Sequence, residues 1–439
     1  MVKISKFGGT SVGSAGNMQQ VARIVENEGT RITVLSAMSG TTDALVKIGK
    51  LASEGASPTE IEAVIASLKE KYTTCIELLL KENRSDALEK MNATWRLILD
   101  EAASYKANDS ERAIVAQGEL LTSAIFTFYM NESGRKAVLL HAPDFMEIDA
   151  DGKVKTALLK EKLAQLTADS GVFYITQGFI CTNHEGRIDN LGRGGSDFSA
   201  ALIGAAIAAD EVQIWTDIDG MHNNDPRFVS NTYPIRQMSF DEAAELAYFG
   251  AKILHPATIQ PCKELDIPVK LKNTMEPEAP GTTISSRTDN SKIFRAVAAK
   301  DGITVIRIYS LRMLMAYGFL RKVFEVFEKH RTPIDMITTS EVAVSLTVDN
   351  DSQLDKIVSE LEKLGTIEIE RDNSIVCIVG ELDHSRGGLA AQLMNAVDRV
   401  PIKMISYGAS HRSLALLVET KNKKEILQNL NDKLFCTTN

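Results

Sequence analysis

The chain opens with MVKISKFGGTS (residues 1–11), a short apolar strand that runs directly into a Gly-rich polar turn. LGRGGSD (residues 191–197) repeats this construction near the middle of the chain, again ahead of a helix-like stretch. Backbone N–H groups in such turns can hold anionic oxygens beside one fixed cation. Arg193 and Asp197 in the second turn suit the carboxylate and the ammonium of a zwitterion. Together the two turns predict phosphoryl chemistry on an amino acid.

Neither turn matches a common nucleotide-binding motif. The pattern G-x-x-x-x-G-K-[ST] is absent, since Lys6 precedes its glycines, and the G-x-G-x-x-G fingerprint is missing too. A single Gly pair is more often a tight turn than a ligand site. Two such pairs, each with polar residues and each at a predicted strand-to-helix junction, favour a site.

Composition narrows the class of protein and its partners. The 439 residues predict two to four domains, and a net charge of -9 with few basic runs argues against nucleic acid. The N-terminus reads as a strand rather than a signal peptide, and no uninterrupted apolar stretch reaches membrane-spanning length, so we expect no membrane partner. The five scattered cysteines form no C-x-x-C pair, which predicts neither a zinc site nor a disulfide framework and favours the cytoplasm.

The first part of the chain has the pattern of an α/β fold with a mainly parallel sheet sandwiched by helices. Up to about residue 285, short apolar runs alternate with amphipathic segments. Residues 50–130 look entirely helical, with a capping box at Ser57 to Glu60. We therefore predict one domain over 1–285 and a linker over 286–293. The expected buried strands are at 32–35, 137–140, 173–176, 212–215 and 268–271.

The rest of the chain predicts two ferredoxin-like units. Strands and helices follow the order βαββαβ over 302–372, including a strand at 333–337. A second cycle over 374–439, with a strand expected at 402–405, ends one strand short. The strand-like run at 294–300 could fill that place, so that the first unit is inserted within the second. Residues 294–299 without pairing to the last unit would contradict this arrangement.

Seven short motifs then occur in order along the chain. They are KFGGTS (6–11), QGE (117–119), QGF (177–179), GRGGSD (192–197), WTD (215–217), DPR (225–227) and FGAK (249–252). With them the whole chain resembles the aspartate kinases, which have an amino-acid-kinase domain followed by two ACT domains. The resemblance implies transfer of the γ-phosphoryl group of MgATP to the side-chain carboxylate of L-aspartate. This reaction starts lysine, threonine and methionine biosynthesis.

Other features of the family follow from the same resemblance. We expect Mg²⁺ to be carried by ATP rather than by a protein cage. We also expect a homodimer or higher homo-oligomer through the ACT domains. No dinucleotide fingerprint or further α/β region follows the ACT units, so we expect a monofunctional enzyme without a homoserine dehydrogenase domain.

The resemblance also implies roles for individual residues. Lys6 is expected to neutralise charge on the transferring phosphoryl group, with Gly8 and Gly9 N–H groups around it, and Arg193 to take the α-carboxylate of aspartate. The expected catalytic residues are Lys6, Arg193 and Asp197. The expected aspartate contacts are Ser36, Thr42, Glu119, Phe179, Arg193, Ser196 and Asp197. The expected ATP contacts are Lys6, Phe7, Gly8, Gly9, Thr216, Asp217, His222, Arg227, Lys252 and Ile253.

Two of these positions carry alternatives. Without the resemblance, Glu119 would be interpreted as a helix-surface carboxylate. His222 stands where relatives often have Tyr, so we expect altered ATP contacts rather than lost activity.

The resemblance places an allosteric effector in the first ACT unit. Gly318 heads a predicted helix whose N–H groups can take an effector's α-carboxylate. Asp335 and Glu341 offer anions for a cationic end, which favours lysine over threonine as the inhibitor. Ala316 replaces a small hydroxyl residue of close relatives, so the affinity is expected to differ. The expected effector contacts are Met313, Ala316, Gly318, Phe319, Leu320, Asp335, Thr339, Ser340, Glu341 and Val342.

Two rival functions remain open at this point. One is another amino acid kinase, acting on glutamate, acetylglutamate, carbamate or a nucleotide. The other is a non-catalytic relative that only senses an amino acid. ADP release that depends on aspartate alone would exclude both.

Overall fold

A computed structural model describes residues 1–192, 194–250, 254–288, 293–313, 317–383, 385 and 387–435. The chain forms two compact units. The first comprises Met1–Met221, Arg236–Phe240 and Leu254–Thr288, and the second comprises His222–Ile235, Asp241–Ile253 and Asp289–Asn439.

The elements up to Ile284 are numbered along the chain. The strands are β1 Lys3–Phe7, β2 Thr30–Leu35, β3 Ala137–Leu140, β4 Phe173–Gln177, β5 Ile180–Thr182, β6 Ile188–Asn190, β7 Glu211–Thr216, β8 Gln237–Met238, β9 Val269–Asn273 and β10 Thr282–Ile284. The helices are α1 Ala15–Glu28, α2 Thr41–Ser53, α3 Pro58–Leu79, α4 Arg84–Ala103, α5 Ala107–Glu132, α6 Ala142–Phe145, α7 Thr156–Leu166, α8 Gly195–Ala206, α9 Phe240–Tyr248 and α10 Gln260–Glu264. A 3-10 helix covers Pro256–Ile259.

The first unit is built on a mainly parallel sheet, which confirms the predicted fold class. Eight strands lie in the order β3-β4-β2-β1-β7-β9-β10-β8, and among these pairings only β9 with β10 is antiparallel. The central strand β1 pairs with β7 from Lys3↔Glu211 to Phe7↔Trp215 and is buried on both sides. Parallel pairing brings the carboxyl ends of β1, β2, β4 and β7 to one edge, where ligands bind in open α/β sheets.

Four helices, α2 to α5, occupy the segment predicted to be helical. α3 begins with the expected capping box, in which Ser57 and Glu60 bond each other's backbone N–H groups. The Tyr72 and Trp95 rings meet edge to face, 5.7 Å apart, in the shared apolar core. α5 is long and apolar enough to cross a membrane, but 72% of its most apolar window is buried, as in the core helix of a globular protein.

The second unit contains the remaining elements. Its strands are β11 Phe294–Tyr309, β12 Ile337–Thr339, β13 Ala343–Val348, β14 Thr366–Gly380, β15 Met404–Tyr407 and β16 Ser413–Glu419. Its helices are α11 Phe319–Lys329, α12 Leu354–Leu361, α13 Leu389–Ala396 and α14 Lys423–Leu434. Strands predicted at 333–337 and 402–405 begin later, at Ile337 and Met404.

One antiparallel six-stranded sheet runs through both βαββαβ cycles, in the order β12-β13-β11-β14-β16-β15. β11 and β14 pair along most of their length, with Phe294↔Gly380 at one end and Tyr309↔Thr366 at the other. The run 294–300 pairs with 375–380, as the inserted arrangement requires. We propose on this basis that 302–372 forms the first ACT domain and that 294–300 with 374–439 forms the second.

The segment His222–Ile235 is held within the second unit by buried polar bonds. The side-chain amide of Asn223 donates to Asn431 Oδ1 at 3.0 Å, and that of Asn224 donates to the Leu427 carbonyl at 2.9 Å. Val229 joins the apolar core that α13 and α14 build with β14 and β16. Asn431 and Leu427 both lie on α14, so this helix anchors the segment.

Candidate active site

A cavity of about 560 Å³ opens in the first unit, where β1, β2, β4 and β7 end. It brings together nine residues that the sequence predicted: Lys6, Gly9, Ser36, Thr42, Glu119, Phe179, Ser196, Asp197 and Asp217. Thr10, Ala37, Met38, Ser39, Gly40, Asp43, Gly192, Gly194 and Gly195 complete its lining. Residues from six separated stretches of chain therefore meet in one place.

Two helix N-termini face this cavity. α2 follows Gly40 and α8 follows Gly194, and both glycines are left-handed, with φ of 75° and 71°. Neither helix start has a side-chain cap, and both glycines line the cavity. Uncapped N–H groups and the positive end of the helix dipole attract anions. The cavity is thus suited to carboxylate or phosphate groups.

Glycine is required where the first Gly-rich turn meets the loop after β2. A Cβ on Gly9 would lie 2.8 Å from the Ala37 carbonyl oxygen, so no larger residue fits without movement. The Ser39 N–H donates to the Gly9 carbonyl at 3.0 Å. This close approach joins the two walls of the cavity.

Gly8 and Phe7, two of the expected ATP contacts, both interact with Trp215. The Gly8 N–H already donates to the Trp215 carbonyl at 3.2 Å, so it is engaged within the protein. Phe7 is fully buried and stacks on the Trp215 ring, with centroids 5.7 Å apart. The Phe7 side chain therefore packs in the core and does not line the cavity, and we propose that Phe7 and Gly8 contact ATP only through other backbone atoms.

Lys6 and Asp197 form an ion pair in the cavity wall. Their Nζ and Oδ1 atoms are 2.8 Å apart, and the two side chains are only 12% and 13% exposed. Lys6 lies on β1 and Asp197 in the first turn of α8, so the pair joins the two Gly-rich sequences. A largely buried cation with one carboxylate partner is available to neutralise a transferring phosphoryl group.

Glu119 is buried, which excludes its interpretation as a helix-surface carboxylate. Its Oε1 accepts the Ala37 N–H at 3.3 Å, while its Oε2 has no hydrogen-bond partner among the described residues. Burial raises the pKa of Glu119 to about 7, although the Ala37 N–H and the charge of Lys6 act in the opposite direction. An unpaired buried carboxylate oxygen in the cavity wall suits an ammonium group.

The QGF turn sets the position of the second Gly-rich turn. A Cβ on Gly178 would lie 2.6 Å from the Ser196 Cβ, so the two turns are packed against each other. Phe179 adopts a left-handed φ of 69°, and its N–H donates to Ser199 Oγ at 3.0 Å. Such backbone strain in a non-glycine residue is concentrated at functional sites. Phe179 and Ser196 both line the cavity.

Of the other predicted nucleotide contacts that the structure describes, Thr216, His222 and Arg227 do not line this cavity. Thr216 Oγ1 accepts the Ile218 N–H at 3.1 Å. Arg227 and His222 belong to the second unit, where Arg227 is 76% exposed and pairs with Asp225 at 2.6 Å. The His222 ring nitrogen lies 3.0 Å from Thr232 Oγ1. The predicted residues Arg193, Lys252 and Ile253 lie outside the described residues.

The predicted effector residues lie in the second unit. Gly318 caps α11 with a φ of 79° and no side-chain cap. The Asp335 side chain is 1% exposed, and its Oδ1 accepts from the Tyr248 hydroxyl at 2.9 Å and from Lys300 at 3.0 Å. Its Oδ2 has no hydrogen-bond partner in the part of the chain that the structure describes. Glu341 is exposed, and Ala316 lies outside the described residues.

Sequence reasoning missed several contributors to these sites. Ser39 and Gly40 belong to the stretch that contained Thr42, so their place in the lining could have been expected. Lys71, whose Nζ donates to the Ser39 carbonyl, lies 32 positions away on a helix and has no motif. Tyr248 likewise gave no sign of its bond to Asp335, 87 positions along the chain.

Comparison with protein families identifies the two kinds of domain in this chain. Residues 1–273 match the amino acid kinase family, and residues 376–434 match an ACT domain. These matches cover the cavity, every strand of the first sheet except β10, and most of the second βαββαβ cycle.

Individual relatives narrow the class further. The chain is 34% identical to the lysine-sensitive aspartokinase 3 of Escherichia coli K12, with 99% of each chain covered. It is 33% identical to the chloroplastic aspartokinase 3 of Arabidopsis thaliana, covering 99% of this chain and 82% of that protein. The crystal structure of E. coli aspartokinase III with aspartate and ADP, in the R-state, superposes with a TM-score of 0.85 at 34% identity, covering 99% of this chain and 100% of that one. The same enzyme with lysine and aspartate, in the T-state, gives a TM-score of 0.84. The chain belongs to the aspartokinase family.

Proposed function

We propose that this protein transfers the γ-phosphoryl group of ATP to the side-chain carboxylate of L-aspartate, giving 4-phospho-L-aspartate and ADP. The observation that carries this proposal is the cavity itself, where Lys6, Asp197 and the unpaired Glu119 oxygen lie beside two uncapped helix N-termini. The similar E. coli enzyme was crystallised with aspartate and ADP, which supports the same ligands here. The product would serve lysine, threonine and methionine biosynthesis.

The reaction needs positioning and charge neutralisation rather than a general base. A carboxylate oxygen of aspartate attacks the γ-phosphorus, and the bond from that phosphorus to the bridging oxygen of ADP breaks. No proton is transferred, because the acceptor is already ionised. Lys6 would leave Asp197 and neutralise charge that grows on the phosphoryl oxygens in the transition state.

Aspartate would be held by complementary charges. We assign its α-ammonium to Glu119 and its α-carboxylate to Arg193, with Ser36, Thr42, Phe179, Ser196 and Asp197 around it. The α2 and α8 N-termini add N–H groups for the acceptor carboxylate and the phosphoryl group.

The nucleotide half of the site rests on sequence motifs. We assign Gly9, Thr216, Asp217, His222, Arg227, Lys252 and Ile253 to ATP. The described residues contain no group of three or more His, Cys, Asp or Glu side chains that could hold a metal. We therefore propose that Mg²⁺ comes bound to ATP, where it neutralises phosphate charge.

Lysine is the proposed feedback inhibitor. A buried Asp335 oxygen without a hydrogen-bond partner suits an ammonium group, and the uncapped N-terminus of α11 at Gly318 suits a carboxylate. Threonine carries no second cation for such a site. The name of the E. coli relative and its structure with lysine support this choice.

The proposal also includes assembly into a homodimer and a location in the cytoplasm. Large apolar side chains are exposed near the effector residues, among them Leu311 at 82%, Tyr317 at 103% and Val342 at 39%. We propose that a second copy of the chain covers them in a homodimer. Cys75, Cys181, Cys262 and Cys377 are free and buried, which fits the reducing cytoplasm.

A coupled assay of ADP release tests the proposed activity. We expect turnover with MgATP and aspartate, none with glutamate or without acceptor, and suppression by millimolar lysine but not threonine or methionine. Equal turnover with glutamate would indicate another amino acid kinase. No turnover by the folded protein would favour an amino acid sensor.

A further inference from the structure

Lys71, on α3, is a half-buried cation whose partner is not a carboxylate. Its Nζ donates to the backbone carbonyl of Ser39 and lies 3.5 Å from Ser39 Oγ. Within the described part of the chain it makes no ion pair, and burial lowers its pKa. Burying an ammonium group costs free energy that one neutral hydrogen-bond acceptor only partly offsets. A contribution to the stability of the fold therefore does not by itself explain why Lys71 is placed against this carbonyl.

The Ser39 carbonyl belongs to the loop that forms one wall of the cavity. Other bonds fix this loop from the opposite direction: the Ala37 N–H donates to Glu119, the Met38 N–H to Thr122 Oγ1 at 3.1 Å, and the Ser39 N–H to Gly9. The Thr41 N–H also donates to the Met38 carbonyl at 3.0 Å, so the peptide between Ser39 and Gly40 is the central one of a tight turn. None of these bonds is to the carbonyl of that peptide, which is the group that Lys71 holds.

Peptide geometry relates this bond to the cavity. The Ser39–Gly40 peptide is trans, as are the others described, so the Ser39 C=O and the Gly40 N–H point in opposite directions. With the carbonyl held by Lys71, the Gly40 N–H points away from α3. It donates to no acceptor within the described part of the protein, and Gly40 lines the cavity at the start of α2.

We propose that Lys71 is a positioning residue that turns the Gly40 N–H toward the carboxylate of the amino acid substrate. A cation on the carbonyl also polarises the peptide and strengthens the N–H as a donor. The substrate half of the cavity is the relevant one, because the same loop carries Ser36 and precedes Thr42. This inference rests on the proposed aspartate kinase activity.

Lys71→Met tests the inference, because methionine has a side chain of similar length but carries no charge. We expect kcat/KM for aspartate to fall about ten- to a hundredfold, as for loss of a hydrogen bond to a charged group. The KM for ATP should stay within about twofold, because the nucleotide residues are untouched. Lys71→Arg retains the donor and should recover most of the loss. Lys69→Met, at an exposed position of the same helix, is the matched control and should behave as the wild type.

The possible results distinguish failure of the proposed role of Lys71 from failure of the proposed aspartate kinase activity. Unchanged aspartate kinetics in Lys71→Met, with an active wild type, would overturn the role of Lys71 alone. Equal losses in both KM values together with a lowered unfolding temperature, not recovered by Lys71→Arg, would assign Lys71 a structural role. A folded wild type without aspartate-dependent turnover would overturn the proposed function itself.

Discussion

At the scale of single residues, Glu119 links the chemistry of the cavity to pH. Its pKa of about 7 follows from burial, and only its ionised form accepts the ammonium group of aspartate. The KM for aspartate should therefore rise about tenfold between about pH 8 and about pH 6, as Glu119 takes up a proton. Steady-state kinetics across this range, with saturating MgATP, measures the effect.

Glu119→Gln provides the control for this prediction. The amide cannot ionise, so aspartate should bind weakly at every pH and the slope of KM with pH should disappear. The same slope in wild type and variant would assign the titration to another group.

Residue roles were predictable from sequence where a short motif contained the whole feature. Lys6 and Asp197 each belong to a Gly-rich motif, KFGGTS or GRGGSD, and the structure brings their charged atoms within 2.8 Å. The engagement of Gly8 was not predictable, because its partner Trp215 lies on another strand, 207 positions along the chain. The contact of Lys71 with the Ser39 carbonyl was not predictable either, because a lysine on a helix outside any motif is usually solvent-exposed.

At the scale of elements, the end of α9 is attached to the effector region. Tyr248 donates to Asp335, and the Lys300 ammonium lies 4.6 Å from the centre of its ring. A Cβ on Gly250 would lie 2.2 Å from the Ala299 carbonyl oxygen, so the chain after α9 packs tightly on β11. Tyr248 and Lys300 hold one oxygen of Asp335 and thereby orient the other, which we propose binds the effector.

We therefore expect Tyr248→Phe to weaken lysine inhibition about tenfold, the cost of losing one hydrogen bond to a charged group. Activity without lysine should change by less than about twofold, since Tyr248 does not line the cavity. Inhibition curves for wild type and variant give the comparison. Tyr309→Phe removes another hydroxyl–carboxylate bond of the same unit, to Glu368 at 3.1 Å, and is the matched control. An identical lysine response in Tyr248→Phe would refute the orienting role.

Hydrophobic periodicity predicted most elements because each buries one face. It did not predict that β11 and β14 are single long strands. Asp301-Gly302 and Asp372-Asn373 look like turns, and Gly302 and Asp372 do adopt left-handed φ values of 77° and 59°. The pairing of β11 with β14 shifts its register between Lys300 and Val305 and then continues to Tyr309. Local turn chemistry was therefore present but was overridden by pairing between the two strands.

At the scale of the whole molecule, exposed apolar side chains on the second unit predict self-association. We expect sedimentation velocity to give about twice the 48.1 kDa mass of one chain, or a higher multiple. Leu311→Glu combined with Tyr317→Glu should shift the protein toward monomer, because charge would be buried at the interface. A monomeric wild type at micromolar concentration would contradict the proposed dimer.

The sequence did not predict which of the two units contains His222–Ile235 and Asp241–Ile253. Sequence patterns treated the chain up to 285 as one block, whereas His222–Ile235 and Asp241–Ile253 pack with the second unit. Buried amides such as Asn223 and Asn224 hold the first of these segments on α14, whose sequence lies about two hundred positions later. Nothing local to an asparagine shows which distant carbonyl will satisfy it.

The long central strands have a consequence for protein synthesis. Phe294 to Lys300 leaves the ribosome well before its pairing partners at Ile375 to Gly380. At roughly 5–20 residues per second, the nascent strand waits on the order of ten seconds with unpaired backbone groups. This part of the six-stranded sheet therefore cannot pair until translation has passed the first βαββαβ cycle. Truncated chains and slow codons between these positions would expose an apolar strand edge, which is a site for chaperones and for aggregation.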